Sequence, residues 1–103
     1  MDDDYLDGVL ELVAAIPPGR VMTYGLIADV VRAELGRGGP RQVGLILARA
    51  GGGVPWWRVV NAAGSPPQRH SSEALRRLAA EGCPLTADGT RVSLARAGWS
   101  PGR

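Results

Sequence analysis

Prolines and glycines cut this chain into helices that cannot merge, and that punctuation constrains its fold more than any other feature. Tyr5, Leu6, Val9, Leu10, Val13 and Ile16 recur at three- and four-residue spacing, which puts one apolar stripe on a helix from about Asp4 to Ala15. Asp2, Asp3 and Asp4 lead into it and favour the positive end of its dipole. Pro17-Pro18-Gly19 then ends the helix, because the residue before a proline is pushed out of the α region and proline has no N–H to continue the ladder. Thr23 carries the hydroxyl that an N-cap needs, and Leu26, Ile27, Val30, Val31 and Leu35 give a second helix one apolar side as far as Gly36. Gly36-Arg37-Gly38-Gly39-Pro40 is a turn, and Pro40 suits the first position of a third helix running to about Ala50.

Beyond it, Gly51-Gly52-Gly53 reads as a mobile connector into Val54-Pro55-Trp56-Trp57-Arg58-Val59-Val60. A fourth helix is predicted from about Ser72 to Glu81, with Leu75, Leu78 and Ala79 inward and Gly82 as terminator. Asp88-Gly89, between Leu85-Thr86-Ala87 and Thr90-Arg91-Val92-Ser93-Leu94, is the signature of a tight β-hairpin. Ser100 to Arg103 is expected to be disordered. The predicted fold is mainly α, a winged helix-turn-helix-like domain with a small β-hairpin near the C-terminus. Residues 1–103 are expected to form one domain, since no stretch is long enough to be a linker.

A chain of 103 residues buries about two-thirds of the surface its unfolded state exposes, so a ligand site should be shallow or at the surface. No run reaches the roughly 18 apolar residues of a membrane helix. The acidic Met1-Asp2-Asp3-Asp4 start lacks the basic and apolar regions of a secretory signal, so a cytoplasmic protein is expected. Cys83 is the single cysteine, which excludes an intrachain disulfide and a cysteine-based metal site. A small buried hydrophobe is its reading. No cofactor is implied.

Charge is unevenly spread. Residues 1–36 hold seven acids against Arg20 and Arg32, a net −5, whereas residues 37–103 hold ten arginines against Glu73, Glu81 and Asp88, a net +7. Such asymmetry suits docking on nucleic acid from one side. The second and third helices form a helix-turn-helix candidate, with Arg41-Gln42-Val43-Gly44-Leu45-Ile46-Leu47-Ala48 placed to meet DNA. On this pattern alone the helix-turn-helix signal is weak, and an ordinary winged-helix DNA-binding protein fits it.

Three stretches in order carry more: Ile16-Pro17-Pro18-Gly19-Arg20-Val21-Met22-Thr23-Tyr24-Gly25-Leu26-Ile27-Ala28, then Arg41-Gln42-Val43-Gly44, then Pro55-Trp56-Trp57-Arg58-Val59-Val60-Asn61. Together they resemble the DNA-binding domain of the O6-alkylguanine-DNA alkyltransferases, and more closely their non-enzymatic relatives, the alkyltransferase-like proteins. The resemblance runs from the first helix to Trp99. In the enzymes the third stretch reads Pro-Cys-His-Arg-Val, and its cysteine accepts the alkyl group. Trp56 stands at that position and Trp57 at that of the histidine, while Glu81 matches the acid of the relay. An indole has no thiolate to lower in pKa, so no catalytic residue is expected.

The resemblance implies binding of double-stranded DNA containing O6-alkylguanine by minor-groove docking and nucleotide flipping, without alkyl transfer. It further implies that the lesion is flagged for nucleotide excision repair proteins, and a monomer is expected. Arg41 would be the finger entering the stack, with a phosphate contact at the helix start as its alternative. Tyr24 would contact the phosphate beside the flipped nucleotide, or else be a core-edge aromatic. Gln42 belongs to the same DNA-binding set. Gly44 and Ala48 would let the backbone approach a minor groove, although Gly44 could equally mark close helix packing. In the lesion pocket, Tyr24 would be joined by Trp56, stacking on the base, and by Arg69 over its face; a core tryptophan and an exposed arginine are the plainer alternatives. Arg58 is expected to pair with Glu81, Asn61 to bond backbone groups, and His70 to be a solvated loop histidine.

Overall fold

The computed structural model describes residues 3–102. Its helices are α1 (Asp3–Ala15), α2 (Tyr24–Leu35), α3 (Pro40–Ala50), α4 (Ser71–Ala80) and the short α5 (Leu94–Ala97), and its strands are β1 (Met22–Thr23) and β2 (Val59–Val60). The first three helices stop where the proline and glycine signals require. The leading charge of Asp2 and the expected disorder of Arg103 lie outside the described residues. Thr23 is the N-cap of α2, its Oγ1 accepting from the Leu26 N–H at 3.1 Å, and Gly36 closes that helix in the left-handed region.

The parallel pair β1–β2, with Met22 opposite Val59 and Thr23 opposite Val60, was not legible in the sequence. Two residues give no period to detect, and the strands are brought together by a crossover made of α2 and α3. Their importance is in packing. Met22 and Val59 join Tyr5, Val9, Val13, Ile27, Val31, Val43 and Ile46 in one core among α1, α2 and α3. Val21 and Val60 face the other way, into a second core with Leu78, Cys83, Val92 and Ala97. Adjacent residues of an extended chain point to opposite sides, so this short ladder forms the wall shared by both cores. The C-terminus is stitched to the same wall: the Val21 N–H donates to the Ala97 carbonyl at 3.0 Å, and the Trp99 N–H to the Val21 carbonyl at 2.9 Å.

Several expectations require correction. The hairpin shrinks to one antiparallel bridge, Leu85 with Val92, because Leu94 starts α5 in place of ending a strand. The turn itself is as expected, with Gly89 at φ +73° and the Asp88 carboxylate accepting from the Thr86 and Thr90 hydroxyls and the Thr90 N–H. These bonds lower the Asp88 pKa to about 2. In α4, Ala74 and Leu78 are buried while Ala79 is exposed, since burial follows a four-residue step from Ala74. Gly51–Gly53 is no loose connector but a 3₁₀ turn with Gly51 buried. Ser100 to Gly102 are placed as well, and Ser100 lines a surface cavity with Trp99.

A single carboxylate ties these parts together. Glu81, at the end of α4, accepts from the Gly19 N–H at 2.9 Å, from Arg58 Nε at 3.1 Å and Nη2 at 2.6 Å, and from Trp57 Nε1 at 2.9 Å. Arg58 Nη1 also donates to the Ile16 carbonyl at 2.9 Å, so the expected Arg58–Glu81 pair caps the end of α1 too. Gly19 sits at φ +81°, and a β-carbon there would lie 3.0 Å from the Glu81 carbonyl oxygen. Burial pushes the Glu81 pKa up, but the bonds from Arg58, Gly19 and Trp57 outweigh it and hold the carboxyl below its ordinary value of 4.5. The resulting stabilisation is complete above that value and drains away as pH falls through the lower folded-state pKa. Glu81→Gln is expected to cost about 2 kcal/mol at neutral pH, the order expected for lost hydrogen bonds to a charged group. Urea denaturation as a function of pH checks this: the variant should also lose part of the parent's fall in stability below pH 4.5.

Candidate nucleic-acid interface

In α3, Val43 and Ile46 are buried against the core, which leaves Arg41, Gln42, Leu45, Ala48 and Arg49 exposed on the outer side. Among the described residues Leu45, 45% exposed, is the one large hydrophobic side chain left largely open to solvent. Gln42 turns back on its own helix, its Oε1 accepting from the Gly39 N–H at 3.0 Å, so its amide oxygen caps the start of α3. Gly44 is not there for helix packing: a β-carbon built on it would meet nothing within 4 Å. The residue keeps the outer surface low without serving the core.

Two surface cavities meet along this helix. The first, of about 510 Å³, is lined by Tyr24, Gly44, Ala48, Trp56, Arg69 and His70, together with Leu47, Gly51, Gly52, Pro67, Gln68 and Glu73. The second, of about 530 Å³, is lined by Thr23, Tyr24, Gly25, Pro40, Arg41, Gly44, Asn61 and Ala62. Tyr24 and Gly44 belong to both. Of the residues singled out from sequence, Tyr24, Gly44, Ala48, Trp56 and Arg69 converge on the first cavity, and Arg41 lines its neighbour. Gln42 lines neither.

Local structure explains the placement. Tyr24 follows the Thr23 cap directly, so the turn that starts α2 positions the ring. Burial raises the Tyr24 pKa, which keeps the phenol protonated and able to donate. Trp56 opens a 3₁₀ turn, Trp56–Arg58, in which no residue is fully buried. It is therefore a wall of the cavity and not a core tryptophan. Its ring stands perpendicular to Trp57, with centroids 5.8 Å apart and an 87° interplanar angle. His70 approaches from another side at 5.6 Å and 62°. His70 is exposed as expected, but its contact with Trp56 had no sequence signal, because thirteen residues lie between them and His70 sits at the end of a separate 3₁₀ turn, Gln68–His70.

Asn61 bonds backbone as expected, its Oδ1 accepting from the Ala63 and Ser65 N–H groups at 2.9 and 3.0 Å. Cys83 is buried, and burial together with the nearby Glu81 charge pushes its thiol pKa up. Such a thiol is a poor nucleophile.

Residues 4–83 match the family of the 6-O-methylguanine DNA methyltransferase DNA binding domain. Over 96% of the chain, 36% of residues are identical to the DNA base-flipping protein of Escherichia coli (strain K12), covering 77% of that protein. The chain belongs to the alkyltransferase-like family. A further member, the DNA base-flipping protein of Vibrio parahaemolyticus serotype O3:K6 (strain AQ3810), is 32% identical across 96% of this alkyltransferase-like chain and 99% of its own length. Among solved structures, S. pombe Atl1 in complex with damaged DNA containing O6-carboxymethylguanine superposes with a TM-score of 0.79 at 31% identity, covering 98% of this chain and 99% of that one. Among the described residues, no helix is long and apolar enough to cross a membrane.

The open space around Gly44 makes a direct prediction about the fold. Gly44→Ala should stabilise the free protein by about 0.5–1 kcal/mol, the usual gain from replacing a mid-helix glycine. Urea denaturation measures it.

Proposed function

We propose that this chain binds double-stranded DNA containing O6-alkylguanine through the minor groove, turns the modified nucleotide out of the stack, and leaves the alkyl group in place. The observation that carries this reading is the pair of adjoining cavities that share Tyr24 and Gly44, with Arg41 on one and Trp56 on the other. Flipping needs two things side by side: a group to occupy the vacated stack and a pocket to hold the extruded base. Support comes from relatives named as DNA base-flipping proteins and from the resemblance to Atl1, which was solved on DNA containing O6-carboxymethylguanine.

Arg41 enters the stack from the start of α3, and its fixed charge also meets the phosphates. Tyr24 stands between the cavities and donates its hydroxyl to the phosphate beside the flipped nucleotide. Gly44 and Ala48 let the α3 backbone approach the minor groove closely. The base stacks on Trp56, and Arg69 lies over it as a cation–π partner. Gln42 supports the contact by fixing the first turn of α3. No alkyl transfer occurs, because Trp56 and Trp57 stand where an alkyltransferase has its acceptor cysteine and histidine. The bound lesion is then marked for nucleotide excision repair.

Competition between unmodified and O6-methylguanine duplexes tests the reading: the parent protein should favour the lesion, and equal affinity would leave only an ordinary DNA-binding domain. Arg41→Ala should weaken binding to both duplexes. Trp56→Ala should mainly erode preference, lowering affinity for the lesion duplex by about 5- to 150-fold, as expected for losing a stacked base. Gly44→Ala, though more stable, should bind both duplexes less well. A labelled alkyl group should remain on the DNA throughout. It should remain there with Trp56→Cys as well, since Trp57 supplies no base to activate the thiol.

A further inference from the structure

We propose that Trp57 is the positioning residue of the lesion pocket: anchored from within the fold, it holds the Trp56 ring in the orientation that receives the extruded base. The inference rests on the lesion-binding reading above and adds the source of the pocket's rigidity. Trp57 packs against the second core and donates its indole N–H to Glu81 Oε2 at 2.9 Å. Two guanidinium groups lie over its ring, that of Arg77 at 4.5 Å and that of Arg58 at 5.4 Å from the centroid. Arg58 is locked by Glu81, and Arg77 is paired with Glu73, itself part of the cavity lining, at 2.9 Å.

Trp57 is thus held by a hydrogen bond, a core and two cations, whereas the Trp56 indole has no hydrogen-bond partner among the described residues and is flanked by Trp57 and the exposed His70. Of the two neighbours, only Trp57 is fastened. Perpendicular aromatic packing restricts the angle of the second ring, so a fixed Trp57 lets Trp56 meet the base without first losing rotamer freedom. Trp57 does not line the cavity, and its effect on the base passes through Trp56.

Two variants separate this role from plain stabilisation. Trp57→Phe and Trp57→Leu both lose the hydrogen bond to Glu81, but only phenylalanine keeps a flat ring against Trp56. Both should be less stable than the parent. Preference for O6-methylguanine over unmodified duplex should stay within about two-fold of the parent in Trp57→Phe and fall about 2- to 10-fold below that in Trp57→Leu, the range for losing one aromatic pair. Equal preference in the two variants would overturn the proposal. The parent protein supplies a measurement that does not depend on the variants folding. The long-wavelength tryptophan dichroism from the coupled Trp56–Trp57 pair should persist when lesion duplex binds, and its loss would also overturn the proposal. If the parent itself ignores the lesion, the function proposed above fails, an outcome distinct from a parent that discriminates and variants that do so equally.

Discussion

The fold converges on one carboxylate. Glu81 gathers the backbone of the Pro17-Pro18-Gly19 turn, the guanidinium of Arg58 and the indole of Trp57, so the end of α1, the Trp56–Arg58 turn and the end of α4 share one partner. Each donor loses water on folding, and none would be tolerated there unsatisfied. The arrangement explains why a glycine follows the two prolines: the Gly19 backbone must come close to the end of α4 with its N–H turned inward, which its left-handed conformation permits.

Around this clamp the molecule divides its labour. Core one holds α1, α2 and α3 together, and core two takes in Leu78 of α4, the helix whose Glu73 lines the Trp56 cavity. The two-residue ladder between them sets the distance from Tyr24, just after β1, to Trp56, just before β2. Glu81 takes an N–H donor from Trp57, so Trp57 belongs to the clamp while its neighbour Trp56 gives the adjoining cavity a flat apolar surface.

Much of the architecture could be read in the chain because its signals are local. Helix starts and stops follow from Thr23, Gly36, Pro40 and Gly82, and the core faces of α1 and α2 follow from three- and four-residue spacing. The Asp88-Gly89 turn was legible for the same reason, but its strands were not: Val92 is drawn into the second core and Leu94 into α5, both long-range demands that shortened the hairpin to one bridge. The triple glycine misled in the opposite direction. Its composition signals freedom, yet Gly51 is buried with Leu47 and Trp56 close by.

For the candidate site, the family resemblance offered a set of side chains, and the tertiary structure decided what each one faces. Of that set, Tyr24, Gly44, Ala48, Trp56 and Arg69 line one cavity and Arg41 lines its neighbour. The sequence could not say that Gln42 turns back to cap its own helix, that His70 packs on Trp56, or that the lesser-regarded Trp57 is the fastened member of the pair. Those facts depend on packing between segments far apart in the chain. Periodicity and turn chemistry act over a few residues, whereas the angle between two rings is set by everything buried behind them.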